Sequence, residues 1–199
     1  MISDATEENR ILRESVRDFA EKEIAPHVME WDENQHFPME IVPRMAEMGM
    51  LGAIVPPEFG GAGLSYPEYV VVVEELSRVD GSLGLFVAAH NSLCSNHIYL
   101  YGSDEQKRRY LPNLASGLKI GAWGITEAGS GSDAGGMRTS AVRDGNYYVL
   151  NGSKHFTTNA SIAGTYVIMA MTNPGKKEIS ALLIHKLKML EKRNLAKMA

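Results

Sequence analysis

The apolar residues keep a helical period up to about residue 118 and a strand period after it, and that single change constrains the fold more than any other feature of the sequence. Ile11, Leu12, Val16, Phe19 and Ile24 share one helical face, with Asp4 and Glu7 spaced as a capping box before them and Pro26 closing the run. A second helix is expected from Phe37-Pro38 through Ile41 and Met45 to Gly49. Pro56, Pro57, Gly60, Gly61 and Gly63 then make a turn-rich connector. Ser65 with Glu68 opens a helix through Val70, Val73 and Leu76 to about Val79, and Ser103 with Gln106 opens another through Tyr110 and Leu114 to Gly117. Between them, residues 82–101 are apolar nearly all round. His90, Asn91 and Asn96 interrupt that stretch too often for a membrane span, so it is expected as a helix buried in the bundle.

Past residue 118 the alternation is that of strands: 120–126, then 139–158, 165–172 and 179–184. Asp144-Gly145 and Asn151-Gly152 are the turn pairs expected of hairpins. The fold class is therefore α+β, with an all-helical domain over 1–118 and a β domain over 119–184. Residues 185–199, HKLKMLEKRNLAKMA, abandon the alternation for a Lys-rich run. An aberrant or truncated end after Ile184 and a basic amphipathic tail are both open readings of it.

With 199 residues the chain buries one good core or two small ones. The net charge of -4 and the lack of a basic stripe before the last stretch argue against nucleic acid as a partner. The one cysteine, Cys94, rules out a disulfide framework, and its apolar surroundings favour a buried thiol. Asp4, Glu7 and Glu8 stand where a targeting segment would be basic or apolar, so a cytoplasmic protein is expected. His90 and His97 lack a companion carboxylate at ligand spacing and read as core histidines.

Residues 119–136, KIGAWGITEAGSGSDAGG, concentrate the candidates for chemistry: Gly129, Gly131, Gly135 and Gly136 interleaved with Thr126, Ser130 and Ser132 behind a short strand. A phosphate-binding P-loop would need Lys-Ser/Thr where Met137 follows Gly136, and a dinucleotide fingerprint lacks its third Gly. Taken alone, the stretch is either a cradle for a group bearing phosphate or ring carbonyls or a Gly-rich turn with no ligand.

The paired motif ITEAGSGSD, with NGSKHFTTN about twenty residues after it, resembles the flavin-binding middle domain of the acyl-CoA dehydrogenase family, and the likeness extends over roughly residues 5–184. The resemblance implies an N-terminal helical bundle, a truncated antiparallel β-barrel and a C-terminal helical domain missing from these residues. It implies FAD as cofactor, an acyl-CoA substrate of the short-chain or butyryl type, and oxidation to trans-2-enoyl-CoA as in fatty-acid β-oxidation. Electrons would pass to an electron-transfer flavoprotein, and a homotetramer is the expected assembly. Carried over by position, Trp123, Gly124, Ile125 and Thr126 lie along the isoalloxazine ring. Gly131 and Ser132 approach the FAD phosphates, Ser132 also touching substrate, and Phe156, Thr157 and Thr158 pack on the flavin with the Thr158 hydroxyl at N5. Phe156 stands where the family commonly has Trp, which keeps a stacking face and loses an indole donor. The resemblance leaves no catalytic residue here, because the family's glutamate base comes from the C-terminal domain. Glu127 is read as structural and Asp133 as a turn former. The helix over residues 82–101 borders the acyl pocket in the family, where Gly84, Ala88, Ala89 and Ser92 would shape chain-length preference.

Overall fold

The structure, a computed structural model, describes residues 7–145, 147–173, 175 and 177–184, and the backbone of 196–198. The chain divides into two compact units, Met1–Lys119 and Ile120–Ala199.

In the helical unit, α1 (Glu7–Phe19) runs into a π-helical turn at Ala20–Ile24. Val16, Phe19, Ala20 and Ile24 are buried, whereas Ile11 is 55% exposed, so the apolar face is shorter than its spacing predicts. Asp4, half of the expected capping box, lies outside the described residues. A short α2 (Val28–Glu33) follows where no helix is expected; it buries no residue of its own, which removes the periodic signal. The helix expected from Phe37 starts late, as a 3-10 turn at Met39–Ile41 followed by α3 (Val42–Glu47), with Gly49 at φ 75° ending it in the left-handed conformation that glycine tolerates. The capping boxes predicted at Ser65 and Ser103 form at the starts of α4 (Tyr66–Val79) and α7 (Asp104–Ala115). Glu68 accepts from the Ser65 N–H at 2.7 Å, and Gln106 from the Ser103 N–H at 2.9 Å.

The helix expected over residues 82–101 is three segments: α5 (Gly81–Ala88), a π-helical segment Ala89–Ser95, and α6 (Asn96–Tyr101). Asp80 caps its start, Oδ1 accepting from the Ser82 and Leu83 amides at 2.7 and 3.1 Å. At the wide turn, side chains take carbonyls at the end of α5. Asn91 Nδ2 donates to Val87 O at 3.1 Å, while Ser92 Oγ and the Tyr69 hydroxyl donate to Ala88 O at 2.6 and 3.2 Å. Burial is one-sided, contrary to the expectation: Leu83, Phe86, Val87 and Ile98 are buried, and Leu85 and Leu100 are more than half exposed. His90 is a core residue whose Nε2 donates to Leu114 O at 3.2 Å, and burial pushes its pKa down to about 4. No helix among the described residues is long and apolar enough to cross a membrane.

Glu75 of α4 is buried, and the guanidinium groups of Arg13 and Arg17 from α1 reach it at 2.6 and 2.9 Å. Arg78 adds a contact at 3.3 Å. Burial alone would raise the Glu75 pKa, but hydrogen bonds from Arg17 and Arg13 outweigh it and hold the carboxyl at about 2.

The second unit is a mixed sheet with strand order β1-β4-β2-β3-β6 and β5 on β4. Its strands are β1 (Gly121–Gly124), β2 (Ser140–Asp144), β3 (Tyr147–Asn151), β4 (Thr165–Asn173), β5 (Glu178–Ile184) and β6 (Ala196–Met198). Helices followed by a β domain is the architecture expected; within the sheet, the pairs β1/β4 and β2/β4 run parallel instead of antiparallel. Asp144 pairs with Tyr147 across the β2/β3 hairpin, and Gly145 at φ 61° opens its turn as predicted. Asn151-Gly152 is not a hairpin turn. Gly152 instead lies so close to Thr139 that an added Cβ would meet its Cα at 2.6 Å, and the chain continues without strand pairing through residue 156. Ala122, Tyr166, Ile168 and Ile184 form a core cluster, with Leu150 and Ala163 packed on it. The Lys-rich run lies outside the described residues up to 195, beyond which β6 pairs antiparallel with β3.

Candidate functional site

The first strand ends at Gly124, and specific bonds hold the loop after it. Glu127 and Ser130 exchange backbone hydrogen bonds of 2.9 and 3.1 Å, closing a tight turn over Ala128-Gly129. Ser130 is buried and its Oγ donates to Asp133 O at 2.6 Å. Asp133 O also accepts from Gly136 N at 3.1 Å, a main-chain turn bond that does not draw on the Asp133 carboxylate.

The second motif comes alongside the first through backbone contacts. His155 N donates to Thr126 O at 2.8 Å, and Asn159, at φ 69°, donates from Nδ2 to Gly121 O at 3.1 Å. Gly124 permits the close approach: a Cβ there would meet Ile168 Cδ1 at 2.9 Å and Thr157 Oγ1 at 3.3 Å. Trp123, Gly124, Ile125 and Thr126 are thereby brought beside Phe156, Thr157 and Thr158. Gly131 and Ser132 stand on the exposed part of the intervening loop, and the buried hydroxyl of that loop is Ser130.

A buried ion pair links the two motifs. Lys154 Nζ donates to Glu127 Oε1 at 2.8 Å and to Ile125 O at 2.9 Å, both side chains of the pair being 9% exposed. The other donors to the carboxylate are the amides of Arg138 at 2.6 Å and Thr139 at 2.8 Å. Burial alone would push the Glu127 carboxyl up, yet Lys154 and these donors hold it at about 2. A carboxylate so engaged is a poor proton acceptor near neutral pH, in keeping with a structural reading. The sequence places Lys154 within the motif but does not reveal its partner.

Two features of this surface are unusual for a chain with nothing more to do. Phe156 is 91% exposed and sits at φ 54°, a backbone region costly for an aromatic residue. In the same two segments, Trp123 Nε1 and Thr157 Oγ1 are buried without a hydrogen-bond partner among the described residues. A flat group with polar edges would supply both a face for Phe156 and partners for these atoms. Among the described residues there is no grouping of His, Cys, Asp and Glu that could hold a metal ion.

Residues 6–118 match the acyl-CoA dehydrogenase N-terminal domain, and residues 122–197 match the acyl-CoA dehydrogenase middle domain. The short-chain specific acyl-CoA dehydrogenase of Clostridium acetobutylicum is 48% identical over 91% of this chain and 48% of its own length. A chain in the structure described as the electron transferring flavoprotein of Acidaminococcus fermentans is 41% identical, with a TM-score of 0.88 over 92% of this chain and 49% of that one. The acyl-CoA dehydrogenase of Bacillus anthracis complexed with FAD is 35% identical, with a TM-score of 0.84 over 92% of this chain and 31% of its own. The chain spans about half the length of the curated relatives it matches. With both domain matches meeting at the change of period near residue 118, and both motifs gathered on one surface, the chain belongs to the acyl-CoA dehydrogenase family.

Proposed function

We propose that these residues form the N-terminal and flavin-facing parts of an FAD-dependent dehydrogenase that oxidises a short-chain acyl-CoA thioester to the trans-2-enoyl-CoA. The observation that carries this reading is the meeting of residues 123–126 with 156–158 over a buried, unpartnered indole N–H and hydroxyl. Bound FAD would supply the acceptor for the hydride lost from the thioester β-carbon, with the α-proton going to a base, so that substrate loses two electrons and two hydrogens.

The roles of the chain's own residues are those the resemblance implies, and the surface is consistent with them. Trp123 to Thr126 line the ring, the Thr126 hydroxyl serving its pyrimidine edge, and Phe156 offers the stacking face. Thr157 and Thr158 bring hydroxyls to the same surface, with Thr158 at N5. Gly131 and Ser132 serve the phosphates, and Ser132 also the acyl-CoA. Glu127 is occupied by Lys154 and two amides, so we place the base outside residues 1–199. An electron-transfer flavoprotein as acceptor, a homotetramer and a cytoplasmic location complete the reading; a relative 41% identical and named as a subunit of a caffeyl-CoA reductase-Etf complex supports the first.

Titrating the purified chain with FAD, monitored by flavin fluorescence, tests the reading: saturable quenching supports it, and none refutes it. Adding butyryl-CoA and an artificial electron acceptor separates binding from turnover. Dye reduction by these residues alone would place a base within them and contradict its placing outside residues 1–199.

A further inference from the structure

We propose that Lys154 and Glu127 are the positioning pair of the flavin site, holding residues 125–127 and 154–158 in register so that both halves of the ring-binding surface exist before the cofactor arrives. This rests on the FAD reading above and extends it to residues for which no contact with flavin or substrate is proposed.

The two segments lie 27 positions apart at this pair, and 152–156 carries no strand pairing to fix it. One backbone bond, His155 N to Thr126 O, joins them at the ring-facing end. A single such bond leaves a hinge. Lys154 supplies two more points of attachment from one ammonium group, a main-chain carbonyl at Ile125 and a side chain at Glu127. Glu127 extends the clamp to the start of β2, since its carboxylate accepts from the Arg138 and Thr139 amides. Three chain segments therefore converge on one ion pair, and Phe156 is two residues from its cation.

The chemistry favours a rigid hold. An ion pair shielded from water is strong only while every donor and acceptor is met, and here the carboxylate has three donors and the ammonium two oxygen acceptors. Such a pair resists small displacements that an apolar contact would absorb. Preorganisation of this kind lowers the ordering cost of binding, and its loss shows as weaker affinity and altered cofactor geometry.

The test compares wild type, Lys154→Met, Lys154→Arg and the double variant Lys154→Met/Glu127→Gln by FAD titration and by the visible circular dichroism of the bound flavin at saturation. Lys154→Met is expected to weaken FAD binding about tenfold and to change the flavin band even when every site is filled. The double variant should be no worse than Lys154→Met, because both substitutions break one unit. A folded Lys154→Met protein with wild-type affinity and a wild-type flavin band overturns the proposal, as does one that only melts at lower temperature. Should Lys154→Met fail to fold, Lys154→Arg decides: it keeps a charge against Glu127 but moves the donor off Ile125 O, so a changed flavin band supports the proposal and an unchanged one overturns it. Wild type that takes up no FAD refutes the cofactor reading itself, a separate result from variants that bind as wild type does.

Discussion

Among the described residues, each unit holds a well-shielded glutamate, Glu75 in the helices and Glu127 in the sheet unit, and the two are held in different ways. Glu75 is gripped by three arginine side chains, two of them reaching from α1 to α4, so it joins regular elements already shaped by their own hydrogen bonds. Glu127 is gripped by one lysine and two main-chain amides, so it joins segments with little regular structure of their own. Both carboxyls are held at about 2, but the first stabilises a helix contact and the second defines a surface. Equal electrostatic depression thus accompanies unequal structural dependence.

The largest expected effect separates the two directly. Glu127→Ala leaves the Lys154 ammonium on Ile125 O without its counter-charge and takes the acceptor from the Arg138 and Thr139 amides, and should cost about 3 kcal/mol in the β unit. Glu75→Ala should cost less, about 2 kcal/mol, because Arg17 and Arg78 are nearly half exposed and can turn to water. Denaturant unfolding, with hydrogen exchange read unit by unit, checks both; equal losses would dissolve the distinction.

Acid should sharpen the comparison at a particular pH. His90 has a folded pKa of about 4, below its ordinary 6.5, so its neutral form favours folding above 6.5 and the penalty grows as pH falls toward 4. Between pH 7 and 5 this removes about 2 kcal/mol from the helical unit. The two glutamates have folded pKa values below their ordinary 4.5. Their contribution is complete above that value and is lost as pH falls through about 2. At pH 5, amide protection corrected for the intrinsic exchange rate should therefore fall in the helical unit and change little around Glu127, and His90→Gln should flatten that response.

The smallest effect concerns a cap. Ser65→Ala removes the hydroxyl that accepts from Glu68 N and should lower the stability of the helical unit by about 1 kcal/mol, seen as a modest fall in its melting temperature.

These devices differ in how plainly they can be read in the sequence. The capping boxes at Ser65 and Ser103 are legible because both partners lie within one turn, and β4 because it is a nearly continuous apolar run of strand length. Helix α2 is not, since it buries nothing and so writes no period. Asn151-Gly152 misleads because its glycine serves close packing on Thr139 in place of a turn. At the site, the paired motif identifies the segments that come together around Trp123 and Phe156. The Glu127–Lys154 contact stays hidden, because nothing local distinguishes a charge that will find a partner 27 positions away from one that will face water.

The widened turn at Ala89–Ser95 sets the phase of the helix beyond it. An extra residue in one helical turn rotates everything downstream by about 100° relative to an unbroken helix. Residues before and after it therefore obey two separate hydrophobic clocks, and the exposed Leu85 and Leu100 need not belong to one stripe. Deleting a single residue inside 89–95 would let the helix run unbroken into the second segment. Ile98 would keep its place in the interior, while the hydrogen bonds that Asn91 and Ser92 make to Val87 and Ala88 would lose their vacant carbonyls.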